Sequence, residues 1–246
     1  MRKVTAIAST LVLCLMCLGV APVQAASLQH GIRHVPLIKG RNSTSLNWSG
    51  YANTGTTFKV VQGSWTQPAV TCGAGETSYA AFWVGIDGDT TNTVEQTGTD
   101  SDCSNGTPTY YAWYEMYPKF PVNLSYPVAP GDALSASVST NGSGNFTLTI
   151  SDSTQHWSFT TNQRLKKARL GSAEWIAEAP SGAGGVLPLA DFGTVTFTNC
   201  TANGLSISNN PNPDPITMVT NNNQVKAAPS SLNSSGTSFS VTWYHS

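Results

Sequence analysis

Chemistry in this chain has to come from a short inventory. Beyond residue 46 the sequence holds only two histidines, His156 and His245. His245 is the penultimate residue and His156 sits beside Trp157 in a strand-like run, so neither suits the proton carrier of a Ser-His-Asp or Cys-His site. The G-x-S-x-G elbow, H-E-x-x-H, a Gly-rich nucleotide loop and the Asp-Thr/Ser-Gly signature of paired aspartates are absent. What remains is carboxylates, amides and water. Of the thirteen acids, Glu76, Asp100, Asp102, Asp132, Asp152 and Asp214 stand in Gly/Ser/Asn/Pro-rich contexts and read as turn formers, and Asp191 reads as a strand end. Four places differ. In AEWIAE, Glu174, Ile176 and Glu178 share one strand face, with Ala173, Trp175 and Ala177 on the other. Two carboxyls on one face build a poor core and a reasonable general acid–base site. Glu115, flanked by Trp113 and Tyr117, is a charge on an aromatic face, costly unless paired or functional. Gln96 in VEQTG supplies a neutral amide. Asp87 and Asp89 in WVGIDGDT read as a turn, since a calcium loop needs more oxygen ligands than these two carboxylates.

The elements that must position these groups are strands. From Asn47 onward, short runs rich in Val, Thr and aromatics alternate with turn residues: 78–87, 108–118, 133–140, 145–150, 173–180, 193–200 and 238–246 are examples. Val195 and Phe197 alternate with Thr194, Thr196 and Thr198, and Phe239, Val241 and Trp243 with Ser238, Ser240 and Thr242, the period of strands with one buried face. No segment carries a convincing helical stripe. The expectation is an all-β, two-sheet antiparallel sandwich over residues 47–246.

Residues 1–25 have the layout of a secretory signal peptide: Arg2 and Lys3, an apolar run from about Ala6 to Val20, and a small-residue end at Ala25. The run is too short to span a bilayer, so the expected location is extracellular, with no membrane after signal removal. Residues 26–46 read as a short pro-segment or a loose N-terminal arm. Outside the leader three cysteines remain. An oxidising exterior and their loop-like contexts favour a bridge between Cys72 and Cys103, with Cys200 left as a small buried hydrophobe. Three cysteines with so few histidines argue against a zinc site, and no metal or cofactor is expected. Only 10% of residues are charged. Without Arg2 and Lys3 the chain holds 10 basic against 13 acidic residues, a net of −3, which excludes a basic nucleic-acid surface. Few carboxylates also suit a protein that must stay folded in acid. On residues alone, a glycoside hydrolase using Glu115 and Glu178, or a carbohydrate-binding module presenting Trp and Tyr, stays open.

Seven segments in order resemble the glutamic peptidases (eqolisins): NWSGY at 47–51, GSWTQP at 63–68, FWVGIDGDT at 82–90, QTG at 96–98, YAWYEMYP at 111–118, AEWIAE at 173–178 and FTNC at 197–200. The resemblance implies a sandwich with a concave substrate groove and a secreted acid endopeptidase acting on polypeptides, expected here as a monomer. It implies a catalytic pair of Gln96 and Glu178 activating a water, Glu178 as base then acid and Gln96 stabilising the oxyanion. Trp48, Trp83, Glu115 and Tyr117 then fall at groove or supporting positions, Asp87 and Asp89 organise a loop, and Glu174 is structural or peripheral. Hydrogen-bond donors around Glu178, Gln96 among them, are expected to keep its pKa near the ordinary Glu value. Glu95 stands before Gln96 where the family is expected to have an apolar residue.

Overall fold

The computed structural model describes residues 1, 31–40 and 44–246; the expected signal peptide, Met1 apart, lies outside the described residues. In chain order the strands are β1 (Trp48–Thr54), β2 (Val60–Thr66), β3 (Ala81–Ile86), β4 (Val94–Ser104), β5 (Thr107–Tyr117) and β6 (Val122–Asn123). Then come β7 (Ala133–Thr140), β8 (Asn145–Asp152), β9 (Trp157–Arg164), β10 (Ser172–Glu178), β11 (Ser181–Gly182) and β12 (Gly185–Val186). The last six are β13 (Thr194–Ala202), β14 (Leu205–Ser206), β15 (Pro213–Ile216), β16 (Met218–Val219), β17 (Val225–Pro229) and β18 (Phe239–Trp243). A 3-10 turn at Ile207–Asn209 is the only helical element among the described residues.

Two antiparallel sheets carry the fold. One runs β15-β1-β10-β3-β4-β5-β6; the other runs β16-β17-β18-β13-β2-β7-β8-β9, with β14 beside β13. The core lies between them. Phe82, Val84, Ile86 and Trp175 of the first sheet meet Val61, Trp65, Leu134, Val138, Leu148, Phe197 and Val241 of the second. Two indoles also tie the layers, Trp175 Nε1 donating to Gln62 O at 2.8 Å and Trp65 Nε1 to Thr99 Oγ1 at 3.0 Å. The alternation expected in 193–200 and 238–246 is met: Val195, Phe197, Phe239 and Val241 are buried, while Thr194 and Thr196 are exposed.

The first sheet's other face is also covered. Trp48, Ala52, Ala81, Trp83, Val94, Trp113, Ile176 and Ile216 form a second apolar cluster there, with Leu37, Tyr111 and Tyr117 packed against it. Antiparallel register sets this face in rows across β1, β10, β3, β4 and β5. One row is Trp48, Glu178, Ala81, Asp100 and Tyr111; the next is Gly50, Ile176, Trp83, Gly98 and Trp113; the third is Ala52, Glu174, Gly85, Gln96 and Glu115. Glu174, Ile176 and Glu178 thus share a face opposite Ala173, Trp175 and Ala177, as the period of two requires.

The structure corrects the turn reading of Asp100 and Asp102. Both are buried inside β4, which pairs with β5 over eleven positions. Their carboxylates are tolerated there because neighbouring side chains and Ala80 N–H bond them. The Cys72–Cys103 bridge is present with a Cα–Cα distance of 5.6 Å, but it ties a loop to β4 rather than two loops. Cys200 is free and buried.

Candidate active site

The middle row makes the site possible. Trp83 stands on β3 between Glu178 of the first row and Gln96 of the third. Glycines give its bulk room: a Cβ on Gly85 would come 2.8 Å from the Trp83 ring, and one on Gly98 would strike Phe82 O and Trp83 Cβ. The indole stands edge-to-face with Trp48, centroids 4.9 Å apart. Its Nε1 donates to Glu178 Oε2 at 2.9 Å.

Glu178 and Glu115 are both fully buried. Burial, first, and the nearby Glu115 charge push the Glu178 pKa well above the usual range; the bonds from Trp83 and from Val35 N–H work against that. Burial likewise pushes Glu115 up to about 9, opposed by the bond from His34 N–H. The expected near-ordinary pKa of Glu178 is therefore not what this arrangement produces. Nor does Gln96 appear among the hydrogen-bond donors to Glu178. Gln96 Nε2 donates to His34 O at 2.6 Å and to Glu115 Oε2 at 3.4 Å.

The arm N-terminal to β1 crosses this face as an extended chain. Arg33 pairs antiparallel with Ser181, each N–H donating to the other's carbonyl at 2.9 Å. His34 N–H donates to Glu115 Oε2 at 2.9 Å. Val35 N–H donates to Glu178 Oε1 at 3.1 Å, and Val35 O accepts from Trp48 Nε1 at 3.0 Å. Asn47 Nδ2 donates to the carbonyls of Val35 and Pro36, both at 3.3 Å. Every backbone N–H and C=O from Arg33 through Pro36 is thereby bonded, most of them by side chains of the site. The His34 imidazole lies flat on Trp113, centroids 3.7 Å apart, with Nδ1 3.6 Å from Glu178 Oε2. Burial lowers its pKa to about 3.

A second carboxyl pair supports the edge of the site. Tyr111 Oη lies 2.8 Å from Asp100 Oδ2 and 2.9 Å from Asp102 Oδ2, and Trp113 Nε1 donates to Asp100 Oδ1 at 2.6 Å. One phenol proton cannot serve two carboxylates, so one of the pair carries its own proton. Burial raises Asp100 to about 7 against the bonds from Tyr111 and Trp113, and burial and then the Asp100 charge raise Asp102 against the bonds from Tyr111 and Ala80 N–H.

Of the residues singled out in the sequence, Trp48, Trp83, Gln96, Glu115 and Glu178 meet around the arm, and Tyr117 packs at the margin of the same cluster. Asp87 does not reach them. It accepts the backbone N–H groups of Arg169, Leu170 and Gly171 at 2.8–2.9 Å, fixing the loop that feeds β10. Asp89 is half-buried, its pKa raised by burial and by Asp214 and lowered by Lys39. Sequence reasoning missed His34, Asn47, Asp100, Tyr111 and Trp113 as parts of the site. The strand-paired positions of the last three were readable only once β4 was recognised.

The comparisons with known proteins agree on one group. The profile of the Peptidase A4 family matches residues 46–243. Aspergillopepsin-2 of Aspergillus niger is 32% identical over 187 residues, covering 64% of each chain. Scytalidopepsin B of Scytalidium lignicola is 32% identical over 182 residues, 66% of each. The match thus spans just under two thirds of either curated relative. Among solved structures, scytalido-glutamic peptidase with a transition-state analogue inhibitor superposes with a TM-score of 0.67 at 27% identity, covering 80% of this chain and 98% of that one. A complex of the eqolisin SCP-B with the tripeptide Ala-Ile-His gives 0.65 at 26% identity, with the same coverage. Aspergilloglutamic peptidase from A. niger gives 0.60 at 30%, covering 68% of this chain and 99% of that one.

Proposed function

The chain belongs to the Peptidase A4 family, and from that premise we propose that it is a secreted, monomeric, acid-active endopeptidase in which Gln96 and Glu178 hydrolyse peptide bonds through a water. One observation carries the reading. The face that holds Gln96 and Glu178 grips an extended polypeptide by its main chain, and the two side chains bond the same peptide unit: Gln96 Nε2 its carbonyl oxygen, Glu178 Oε1 its nitrogen. Main-chain recognition suits a hydrolase of polypeptides and has no counterpart in sugar binding. That similar proteins bind a transition-state analogue and a tripeptide supports the same reading.

In this mechanism Glu178, whose pKa is raised first of all by burial, ionises once the arm has left and water reaches it; as carboxylate it takes a proton from water as the water oxygen attacks the carbonyl carbon. Gln96 donates to the oxygen on which charge develops, and being neutral it donates at any acid pH. Protonated Glu178 then returns the proton to the departing nitrogen. Trp83 N–H favours the ionised form of Glu178, and Glu115 accepts from Gln96 and from the bound peptide's N–H. Casein hydrolysis in acid tests the reading: loss of activity in both Glu178→Gln and Gln96→Ala supports it, and full activity in either variant removes the dyad.

A further inference from the structure

The cations of this chain are few and unevenly placed. Beyond residue 25 there are 10 Lys and Arg, and four of them, Lys59, Lys119, Arg164 and Lys166, are exposed around the β7–β8 turn at one end of the second sheet. Strand pairing brings them together. Lys59 O accepts from Thr140 N–H at 2.8 Å, and a Cβ on Gly142 would come 3.8 Å from Lys59 Nζ. Gly144 O accepts from Leu165 N–H at 2.9 Å, and a Cβ on Gly144 would come 3.0 Å from Lys166 Cα. Asn145 pairs with Arg164, and Lys119 reaches the same place from the turn after β5. Lys59 and Arg164 stand three strand spacings apart, roughly 14 Å. Lys167 and Arg169, also exposed, follow in the loop that leaves β9.

No carboxylate balances these charges. Among the described residues the ion pairs are the two made by His34, and neither involves a Lys or Arg. The acids of these strands, Asp132 before β7 and Asp152 closing β8, lie at the opposite end, where Asp152 pairs with Leu134. Seven residues of strand separate Asp152 from Asn145, roughly 23 Å, well beyond the screening length of about 8 Å at physiological salt. Among the cations lies a groove of about 650 Å³, lined by Lys119, Arg164, Ser139, Asn141, Asn162 and Gln163 among others. Asn141 Oδ1 accepts from Ser143 N–H at 3.0 Å and Asn162 Oδ1 from Thr147 Oγ1 at 2.8 Å, which leaves their amide N–H groups as donors. Cations spaced across a sheet end, with amides and hydroxyls between them, complement fixed anions on a hydroxyl-bearing polymer.

We propose that this groove docks an anionic polysaccharide whose charge is carried by sulfate or phosphodiester groups. The anion has to be a strong acid, because carboxylates of ordinary pKa are largely protonated in the acid range of the function proposed above. An acyl chain is a poorer match than a sugar, since the one aromatic in the groove lining, Phe146, is buried. Gln96 and Glu178 stand on the other sheet, so docking and hydrolysis are separate events.

Dextran sulfate and uncharged dextran, which share a backbone and differ in the anion, test this on the full-length protein. Titrations at about pH 4 over about 50–200 mM salt should show dextran sulfate binding, with log K falling linearly in log salt, and no binding of dextran. Lys59→Gln, Lys119→Gln, Arg164→Gln and Lys166→Gln should each reduce that slope by about 0.7–0.9, the counterion-release value, and the fourfold variant by about 3. All sit on exposed side chains and should keep the parent's melting curve. Lys39→Gln removes an exposed cation that lies beside Asp89, away from the groove, and should leave the slope unchanged. Absent binding of dextran sulfate, equal binding of dextran, or a fourfold variant that binds like the parent overturns the proposal. An equal loss in Lys39→Gln would assign the attraction to net charge and overturn it too, as would tighter binding of phosphatidylglycerol vesicles or single-stranded DNA than of dextran sulfate.

Discussion

Gln96 and Glu178 sit two strands and two residue rows apart on one sheet face, yet both hydrogen-bond the single peptide unit His34–Val35. At roughly 4.8 Å per strand and 3.3 Å per residue their backbones stand on the order of 16 Å apart. Two long side chains and an interposed peptide close that span, and Trp83 fills the row between. Under the proposed function, the pair therefore acts as one site only with a polypeptide laid across β10, β3 and β4, and extended substrates are expected to be cut in preference to compact ones.

The first prediction concerns these two residues. Glu178→Gln keeps the shape and removes the proton acceptor, so kcat should fall by about 10²–10⁴ or more, the usual worth of a general base. Gln96→Ala removes one oxyanion donor and should cost about 10²–10³ in kcat. Glu174→Gln, one row beyond Ile176, should stay within about twofold of the parent. Casein or peptide hydrolysis in acid, with melting curves to verify folding, checks all three.

Trp83→Phe isolates a positioning role. The indole N–H bonds Glu178 Oε2 and favours its ionised form. Without it the Glu178 pKa rises further, because a bond that favours the ionised form is lost. The base then ionises later, so the acid limb of the kcat profile should move to higher pH. A uniform loss of rate with no shift of that limb would show that the ring acts through packing alone.

The site and the fold were unequally legible in the sequence. Strands with clean period-two alternation, such as β13 and β18, announced themselves because one face is buried and the other wet. β4 did not. In VEQTGTDSDCS both faces are buried, one against the core and one beneath the arm, so Asp and Ser appear where alternation would place apolar residues. The acids look like turn formers until Tyr111 and Trp113 are seen across the pairing. Glu178 was legible because two carboxyls on one strand face beside Trp175 resist any core reading. His34 was not, since it lies in a segment without periodicity whose conformation is dictated by what it binds.

Gly98→Ala probes the same architecture from the backbone. A Cβ there would collide with Phe82 O and Trp83 Cβ, main-chain and near-main-chain atoms that cannot swing aside. The substitution should cost about 1–3 kcal/mol, the usual range for overpacking, and should lower activity by displacing Trp83 from Glu178. Chemical denaturation and acid hydrolysis on the same preparation check both effects.

Removing the Cys72–Cys103 bridge should destabilise without touching the chemistry. Closing a loop over a sequence separation of 31 residues limits the unfolded chain by roughly 4 kcal/mol. Cys72→Ser/Cys103→Ser should lose most of that in chemical denaturation yet keep its kcat at a temperature where it is folded. Cys200, buried in β13, should stay unreactive to thiol reagents until the protein unfolds.

The last prediction is the direction of pH stability. Glu95 and Glu115 are pushed to about 9 and Asp100 to about 7, each mainly by burial. In the unfolded chain these groups titrate near the ordinary 3.8–4.5. Between the two values the folded protein holds protons that the unfolded chain has released, so stability falls as pH rises. The contribution is complete below about pH 4, declines by roughly 1.4 kcal/mol per pH unit for each such proton, and is gone above the folded value. Denaturation midpoints should therefore be highest in acid and drop steadily towards neutrality and beyond, opposite to a protein whose carboxylates are held by ion pairs. Glu115→Gln and Glu95→Gln should each flatten the slope by one proton's worth, because a neutral amide leaves nothing to titrate. A midpoint that rises from acid to neutral pH would mean that these carboxyls are ionised in the folded protein.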